Sequence, residues 1–295
     1  MRTNIDLHMH SLYSDDGEFT PTELVEQCHN ANIEVMAIAD HNFVKAIDEA
    51  KEAAKKYAMS VIPAIEIDCV YKGINLHVLG YGIDYHHPSF NKLGEDILKQ
   101  ELLLSDIKLE KTNALFDTQL TREQLLSIMP NGVFTGEAFA QALLEDERYL
   151  QLEALKPYRE KGERSDNPYV NFYWDYYSQG KAIYTKVNYP SLEEIIKLIK
   201  SHGGISILAH PGNNLKNQFE LFDEMVQLGL DGVEAFSSYH DQKTCEYFYN
   251  KAKELKVYYT CGSDFHGKTK PSIHLGDCHC NVEINIDLKG LAHDE

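Results

Sequence analysis

The sequence predicts an α/β protein of the barrel kind, interrupted by a helical insertion. Three observations carry this. The chain has 295 residues, enough for two ordinary domains or for one large α/β barrel, which takes about 250. Strand and helix signals alternate at both ends, the order that builds a parallel sheet. Between them, residues 92–180 lose the alternation and read as helices. The expected division is therefore 1–91 as the first part of the barrel, 92–180 as the insertion and 181–295 as the second part.

Each element has its own signal. Asn4–His10 reads as a strand, and Thr20-Pro21-Thr22-Glu23 opens a helix, with Thr20 as N-cap and Glu23 reaching back. Val35–Ala39 is a buried-type strand, Ala46–Ala58 a helix, and Val61–Ile67 and Asn75–Gly82 are strands. The insertion offers a helix over Glu95–Phe116, a capping box at Thr121-Arg122-Glu123-Gln124 and a helix over Glu137–Leu150. Pro168–Trp174 reads as an aromatic loop, and the Tyr169–Tyr177 aromatics are expected to pack the insertion onto the barrel. Ser191-Leu192-Glu193-Glu194 then caps a helix that stops at Gly203-Gly204. A strand at Ile205–Ala209, a helix near Phe219–Leu228, a strand at Gly232–Phe236, a helix at Lys243–Leu255 and a strand at Val257–Cys261 complete the pattern.

Composition excludes several function classes. Hydrophobic residues at 43% and charged residues at 25% are ordinary for a soluble globular protein and rule out wholesale disorder. The net charge is −18 and every third of the chain is acidic, so no broad Lys/Arg surface for nucleic acid or an anionic membrane is expected. An anionic substrate must then be met at a local positive centre. The first residues lack an apolar signal region, and no stretch reaches the ~18 apolar residues of a membrane span. Cys28, Cys69, Cys245, Cys261, Cys278 and Cys280 read as reduced thiols, and the expected location is cytoplasmic. Cys278-His279-Cys280 is not read as a zinc site: it lacks a second ligand pair, and on a strand His279 would point away from both cysteines.

The chemistry begins at Asp6-Leu7-His8-Met9-His10. On a strand, alternate side chains share a face, so Asp6, His8 and His10 project together. Two such histidines can close on one cation, with Asp6 expected to hydrogen-bond a ligand imidazole. The same placement recurs. His41 follows a strand in Ala39-Asp40-His41, Glu66 ends Val61–Ile65, His77 lies in Asn75–Gly80, His210 follows Ile205–Ala209, and Asp264 and His266 follow Val257–Cys261. In a parallel barrel the C-terminal strand ends open onto one rim, where active sites form. A satisfied core histidine explains any one of these but not their repetition. Asp15, just beyond His10, brings the ligand set to nine, more than one cation can hold, so two or three divalent ions are expected. Imidazole with carboxylate suits Mn, Zn or Fe.

Taken together, His8-x-His10, Asp15, Asp40-His41, Glu66, His77, His210-Pro211 and Gly262-Ser263-Asp264-Phe265-His266 resemble the PHP (polymerase and histidinol phosphatase) family. Within it they resemble most the cytosolic metal-dependent phosphoesterases acting on nucleotide and RNA 5′ ends. The resemblance implies a distorted (β/α)7 barrel with three metals. On its pattern the first metal takes His8, His10, Glu66 and Asp264; the second takes Asp15, His41 and His266; the third takes Glu66, His77 and His210. Glu66 then bridges two ions. It also implies hydrolysis of a phosphomonoester or phosphodiester, a nucleotide or short 5′-phosphorylated RNA, by a metal-activated hydroxide attacking phosphorus. Asp15, His41 and Glu66 are the catalytic candidates, with Asp40 supporting them or handling a proton. Three divalent cations outweigh the carboxylates of Asp15, Glu66 and Asp264, which is how an acidic chain would hold an anion.

On the substrate side, Lys181–Lys186 resembles the segment that returns the chain to the barrel in that branch, which makes Lys186 a candidate contact. Glu234 and His240 are further substrate-binding candidates on the rim, whereas Arg148, Arg159 and Arg164 are expected in solvent. Phe134–Phe139 stands where the branch grips phosphate with Arg and His, and it contains neither. The alternatives are a histidinol-phosphate phosphatase and a non-catalytic metal- or nucleotide-sensing barrel.

Overall fold

A computed structural model describes residues 4–216 and 218–292. The chain divides into two compact units, one comprising residues 1–94, 189–266 and 273–295, the other 95–188 and 267–272.

The first unit opens with β1 (Ile5–Met9), α1 (Pro21–Asn30), β2 (Val35–Ile38), α2 (Ile47–Ala54), β3 (Ser60–Val61), β4 (Ala64–Tyr71) and β5 (Ile74–Tyr81). The Thr20 capping box forms as its sequence requires: the hydroxyl accepts from the Glu23 amide, and the Glu23 carboxylate accepts from the Thr20 amide at 2.8 Å. The single strand expected over Val61–Ile67 is split, because Pro63 has no N–H to give to a ladder.

The chain then enters α3 (Pro88–Phe116), α4 (Arg122–Ile128), α5 (Gly136–Glu145) and α6 (Pro168–Tyr176), the helices of the second unit. It returns through α7 (Leu192–Ser201), β6 (Ile205–Leu208), α8 (Pro211–Leu215), α9 (Leu221–Gln227), β7 (Gly232–Ser237), α10 (Gln242–Leu255), β8 (Tyr258–Gly262) and α11 (Leu288–Ala292). No helix among the described residues is long and apolar enough to cross a membrane.

Two sheets result. One has the order β1-β2-β3, all parallel; the other has the order β4-β5-β6-β7-β8. The expectation of a wholly parallel arrangement fails at β5, which runs antiparallel to both β4 and β6. The reason is local. Lys72 (φ 48°) and Gly73 (φ 80°) both take the left-handed backbone of a tight two-residue hairpin, and so short a connection can only reverse the chain. Backbone bonds also link the two sheets. Glu66 N–H donates to Asp40 O at 3.1 Å beside β4, and Asp264 N–H donates to His8 O at 2.8 Å beyond β8.

The first unit packs around Leu7, Ile65, Val78, Leu79, Ile207, Val233 and Phe248, with a smaller cluster of Met9, Leu24, Val25, Met36 and Ile38. Leu7 and Met9 thus lie apart from the polar side of β1. Cys278 and Cys280 are buried in an irregular segment rather than a strand, with His279 at φ 59° between them.

The second unit corrects two expectations. Pro168–Trp174 is not a loop but most of α6, with Pro168 in the first turn, where its missing N–H costs nothing. Inside this unit Phe172 meets Tyr158 at 5.1 Å and Phe116 at 5.5 Å between ring centroids. Arg159 and Arg164 are likewise engaged there, on the Leu144 carbonyl and the Asp175 carboxylate. Because Phe172 is fully buried, Phe172→Ala should lower stability by about 3–5 kcal/mol in urea unfolding. The half-buried Tyr173→Ala should cost much less; equal, small effects would return this segment to a loop.

Candidate metal centre

The site follows from strand geometry. Asp6 and His8 on β1 and His10 just past its end are all fully buried. On the β4–β5 hairpin, Asp68 lies directly opposite His77, and Glu66 is two residues from Asp68 on the same face. His77 Nδ1 therefore sits 3.0 Å from Glu66 Oε1, and its Nε2 sits 3.0 Å from Asp68 Oδ1. Mid-strand placement, rather than the expected strand end, is what lets His77 reach Glu66.

Glu66 is the hub. Its Oε2 lies 3.2 Å from His8 Nε2, 3.3 Å from His10 Nε2 and 3.1 Å from His41 Nδ1, and its Oε1 lies 3.0 Å from His210 Nε2. Asp264 Oδ1 is 3.3 Å from His8 Nε2 and 3.0 Å from His10 Nε2. His210 (φ 23°) and Asp264 (φ 58°) both hold left-handed backbone, a strained state that clusters at functional sites.

Potential ligand atoms fall into three overlapping groups: His8, Glu66, His210 and Asp264; His10, His41 and His266; and His41, Glu66 and His77. This grouping differs from the expected one, with His210 joining His8 and His10 joining His266. The imidazoles of His10 and His266 stack at 3.9 Å. The residues fit cations on one further count. His8 Nε2, His10 Nε2, His41 Nδ1, Glu66 Oε2 and His210 Nδ1 are buried without a hydrogen bond, a costly state unless something else coordinates them.

The supporting residues depart from expectation. Among the described residues Asp6 hydrogen-bonds no imidazole; it accepts from Ser263 N–H at 2.9 Å and Gly276 N–H at 2.8 Å, tying β1 to the chain beyond β8. Asp40 lies behind the site, accepting from the Ser11 amide at 2.6 Å, the Ser11 hydroxyl at 2.7 Å and the Ser14 hydroxyl at 3.0 Å. Ser14 Oγ, its hydrogen given to Asp40, accepts from His10 Nδ1–H at 2.9 Å, which turns His10 Nε2 inward. Glu234 and His240, expected on the rim, are buried and occupied by protein partners. Lys186 is exposed in the second unit.

Three site residues escaped the sequence reading. Asp16, the neighbour of the expected Asp15, places its carboxylate 3.2 Å from His266 Nε2. Asp68 was detectable, because strand alternation puts it on the face of Glu66. Tyr239, whose hydroxyl donates to Asp264 Oδ2 at 2.7 Å, carried no signal.

Electrostatics sharpen the picture. Burial alone would raise the Glu66 carboxyl, but His8, His77 and His41 hold it well below the usual range. Burial pushes His8 down, yet Glu66, Glu234 and Asp264 outweigh it and raise His8 well above an ordinary imidazole. His77 is raised likewise, with Glu66 and Asp68 overcoming burial, while burial lowers His41. Raised imidazoles hold protons at neutral pH, and a cation must displace them. Metal affinity should therefore climb as pH rises through neutrality, with protons released on binding. Calorimetry in buffers of different ionisation enthalpy reads that release, and zero protons at pH 7 would contradict these assignments.

Comparison with known proteins places the chain. The PHP domain model matches residues 6–231, so the chain belongs to the PHP domain family. A 5′-3′ exoribonuclease of Haemophilus influenzae is 28% identical over 90% of this chain and 91% of its own. A 3′,5′-nucleoside bisphosphate phosphatase of Chromobacterium violaceum is 26% identical over 89% of this chain and 87% of its own. Among solved structures, a Bifidobacterium adolescentis protein provisionally described as a metal-dependent phosphoesterase superposes with a TM-score of 0.75 at 26% identity, covering 93% of this chain and 91% of that one.

Proposed function

We propose that this protein is a metal-dependent phosphoesterase that hydrolyses a nucleotide or the 5′ end of a short RNA. The observation that carries the reading is Glu66, which belongs to two of the three ligand groups and gives each of its oxygens to different imidazoles. Two to three divalent ions, Mn, Zn or Fe, are part of the proposal; when bound they supply Lewis acidity and a water nucleophile at neutral pH.

The residues do the rest. His8, His10, Glu66, Asp264 and His266 form the closed floor, each all but inaccessible, whereas the side chains of His77 and His41 are 29% and 17% exposed. A phosphoryl group would enter past His41 and His77. Water supplies the oxygen that bonds to phosphorus, the ester P–O bond breaks, and the leaving oxygen takes a proton. Asp15, beside Asp16 on the same loop, stays in the proposed catalytic set, and Asp40 acts by holding Ser14 and so His10.

The remaining parts rest on resemblance. Lys186 is proposed as a substrate contact on its segment's likeness to the family, and its test is a raised KM in Lys186→Ala. The division at 91/92 and 180/181 belongs here too. So does the (β/α)7 barrel, supported by the bonds joining the two sheets and by counting β3 and β4 as one interrupted strand. A cytoplasmic location is proposed from the free state of all six cysteines.

The test is a substrate panel assayed with Mn²⁺: nucleoside mono- and bisphosphates, 5′-phosphorylated oligonucleotides and histidinol phosphate. Turnover of the first three classes supports the proposal. Preference for histidinol phosphate would overturn the substrate class, and inertness of the fully metallated protein would overturn the enzyme.

A further inference from the structure

Glu234 is one of the most deeply buried carboxylates of the chain, in a strand, β7, whose every residue is buried. Its two oxygens go to two different parts of the metal centre. Oε1 lies 2.9 Å from His8 Nδ1, and Oε2 accepts from the His210 backbone N–H at 2.9 Å. The surroundings leave the carboxylate no freedom. A Cβ on Gly262 would stand 2.2 Å from His8 Cβ and 2.5 Å from Glu234 Oε1, so only glycine lets β8 pass behind the pair. The β7–β8 register also shifts between Glu234 and Phe236, an irregularity of the kind that re-aims side chains beside sites.

We propose that Glu234 is a positioning residue that sets two candidate ligands at once, fixing the imidazole of His8 with Nε2 inward and pinning the backbone of His210. The inference rests on the reading of His8 and His210 as ligands. A carboxylate only accepts, so His8 must keep a proton on Nδ1, and the neutral imidazole that a cation would bind then offers a bare Nε2 toward Glu66 and Asp264. The same carboxylate holds the corner at His210, where the left-handed backbone would otherwise relax. His240 braces that corner from the other side. Its Nε2 accepts from Gly212 N–H at 3.0 Å, and its Nδ1–H donates to Ala235 O at 3.1 Å.

The discriminating variant is Glu234→Gln, which keeps shape but offers one acceptor and one donor group. The His210 amide can only donate, so it claims the Gln oxygen. The Gln NH₂ then faces His8 Nδ1 and forces the proton onto Nε2, the atom needed inside.

Metal-free protein is titrated with Zn²⁺, its melting temperature is measured without metal, and the zinc-loaded protein is examined by ¹⁵N-histidine NMR. The expected result is a roughly 10–100-fold loss of Zn²⁺ affinity at one site, with the metal-free melting temperature near that of the wild type. Wild-type spectra should show zinc on His8 Nε2 and hydrogen on Nδ1. Wild-type affinity at every site in Glu234→Gln would overturn the proposal. So would zinc on His8 Nδ1 in the unaltered protein, a readout that stands even if the variant fails to fold. None of these measurements uses a phosphate ester, so a protein that binds zinc as expected but hydrolyses nothing sinks the proposed activity alone.

Discussion

Glu66→Ala should reduce phosphoesterase activity to background and lower the metal content by more than one ion per chain. The size of the effect follows from how many partners one carboxylate serves. Glu66 lies within 3.3 Å of ring nitrogens from His8, His10, His41, His77 and His210, and it carries the negative charge around which they gather. Removing it takes an anionic ligand from two groups at once and leaves His8 and His77, both raised chiefly by its charge, without that counter-charge. His77→Ala is the informative contrast, because His77 belongs to one group only. It should cost one ion while the others persist. Elemental analysis decides both: a loss of one ion or none from Glu66→Ala would remove its bridging role, and an empty His77→Ala would contradict the grouping.

Chelation is the second large effect. Stripping the protein with a chelator should abolish activity, and Mn²⁺ should restore it. Stability should move in the same direction, since a cation that binds the native state and not the unfolded chain stabilises the former. One site held at 100 times its dissociation constant contributes about 2.7 kcal/mol. Two such sites give about 5 kcal/mol, a melting shift on the order of 10 °C for a chain this large. Calorimetry with and without Mn²⁺ measures the shift. An unchanged melting temperature alongside restored activity would mean that the ions bind far more weakly than a built site allows.

Much of the centre was legible because its residues sit where strand alternation places them. His8 and His10 were readable from a two-residue period, and His41, His210, Asp264 and His266 from their position just past buried strands. The orientation of β5 was less visible. Lys72-Gly73 is a hairpin turn by its backbone, yet the hydrophobic runs on either side look the same in either direction. The expectation of a strand-end His77 failed with it. Asp16 and Asp15 could not be separated, because a loop has no period to say which of two neighbours turns inward. Glu234 and His240 stand out in the sequence as polar residues near strand ends, but whether such a group faces the cavity or backs its walls depends on contacts between β7, β1 and the His210 corner. The helix over Pro168–Tyr176 was hidden by aromatic residues of weak helix propensity, and the packing of Phe172 against Phe116 and Tyr158 overrides that preference.

The most direct test of the whole account is a crystal structure grown with Mn²⁺ or Zn²⁺, with anomalous scattering recorded at the metal edge. Two or three peaks are expected inside the cage, at least two of them within bonding distance of Glu66. A single peak far from Glu66, or none at saturating metal, would contradict it.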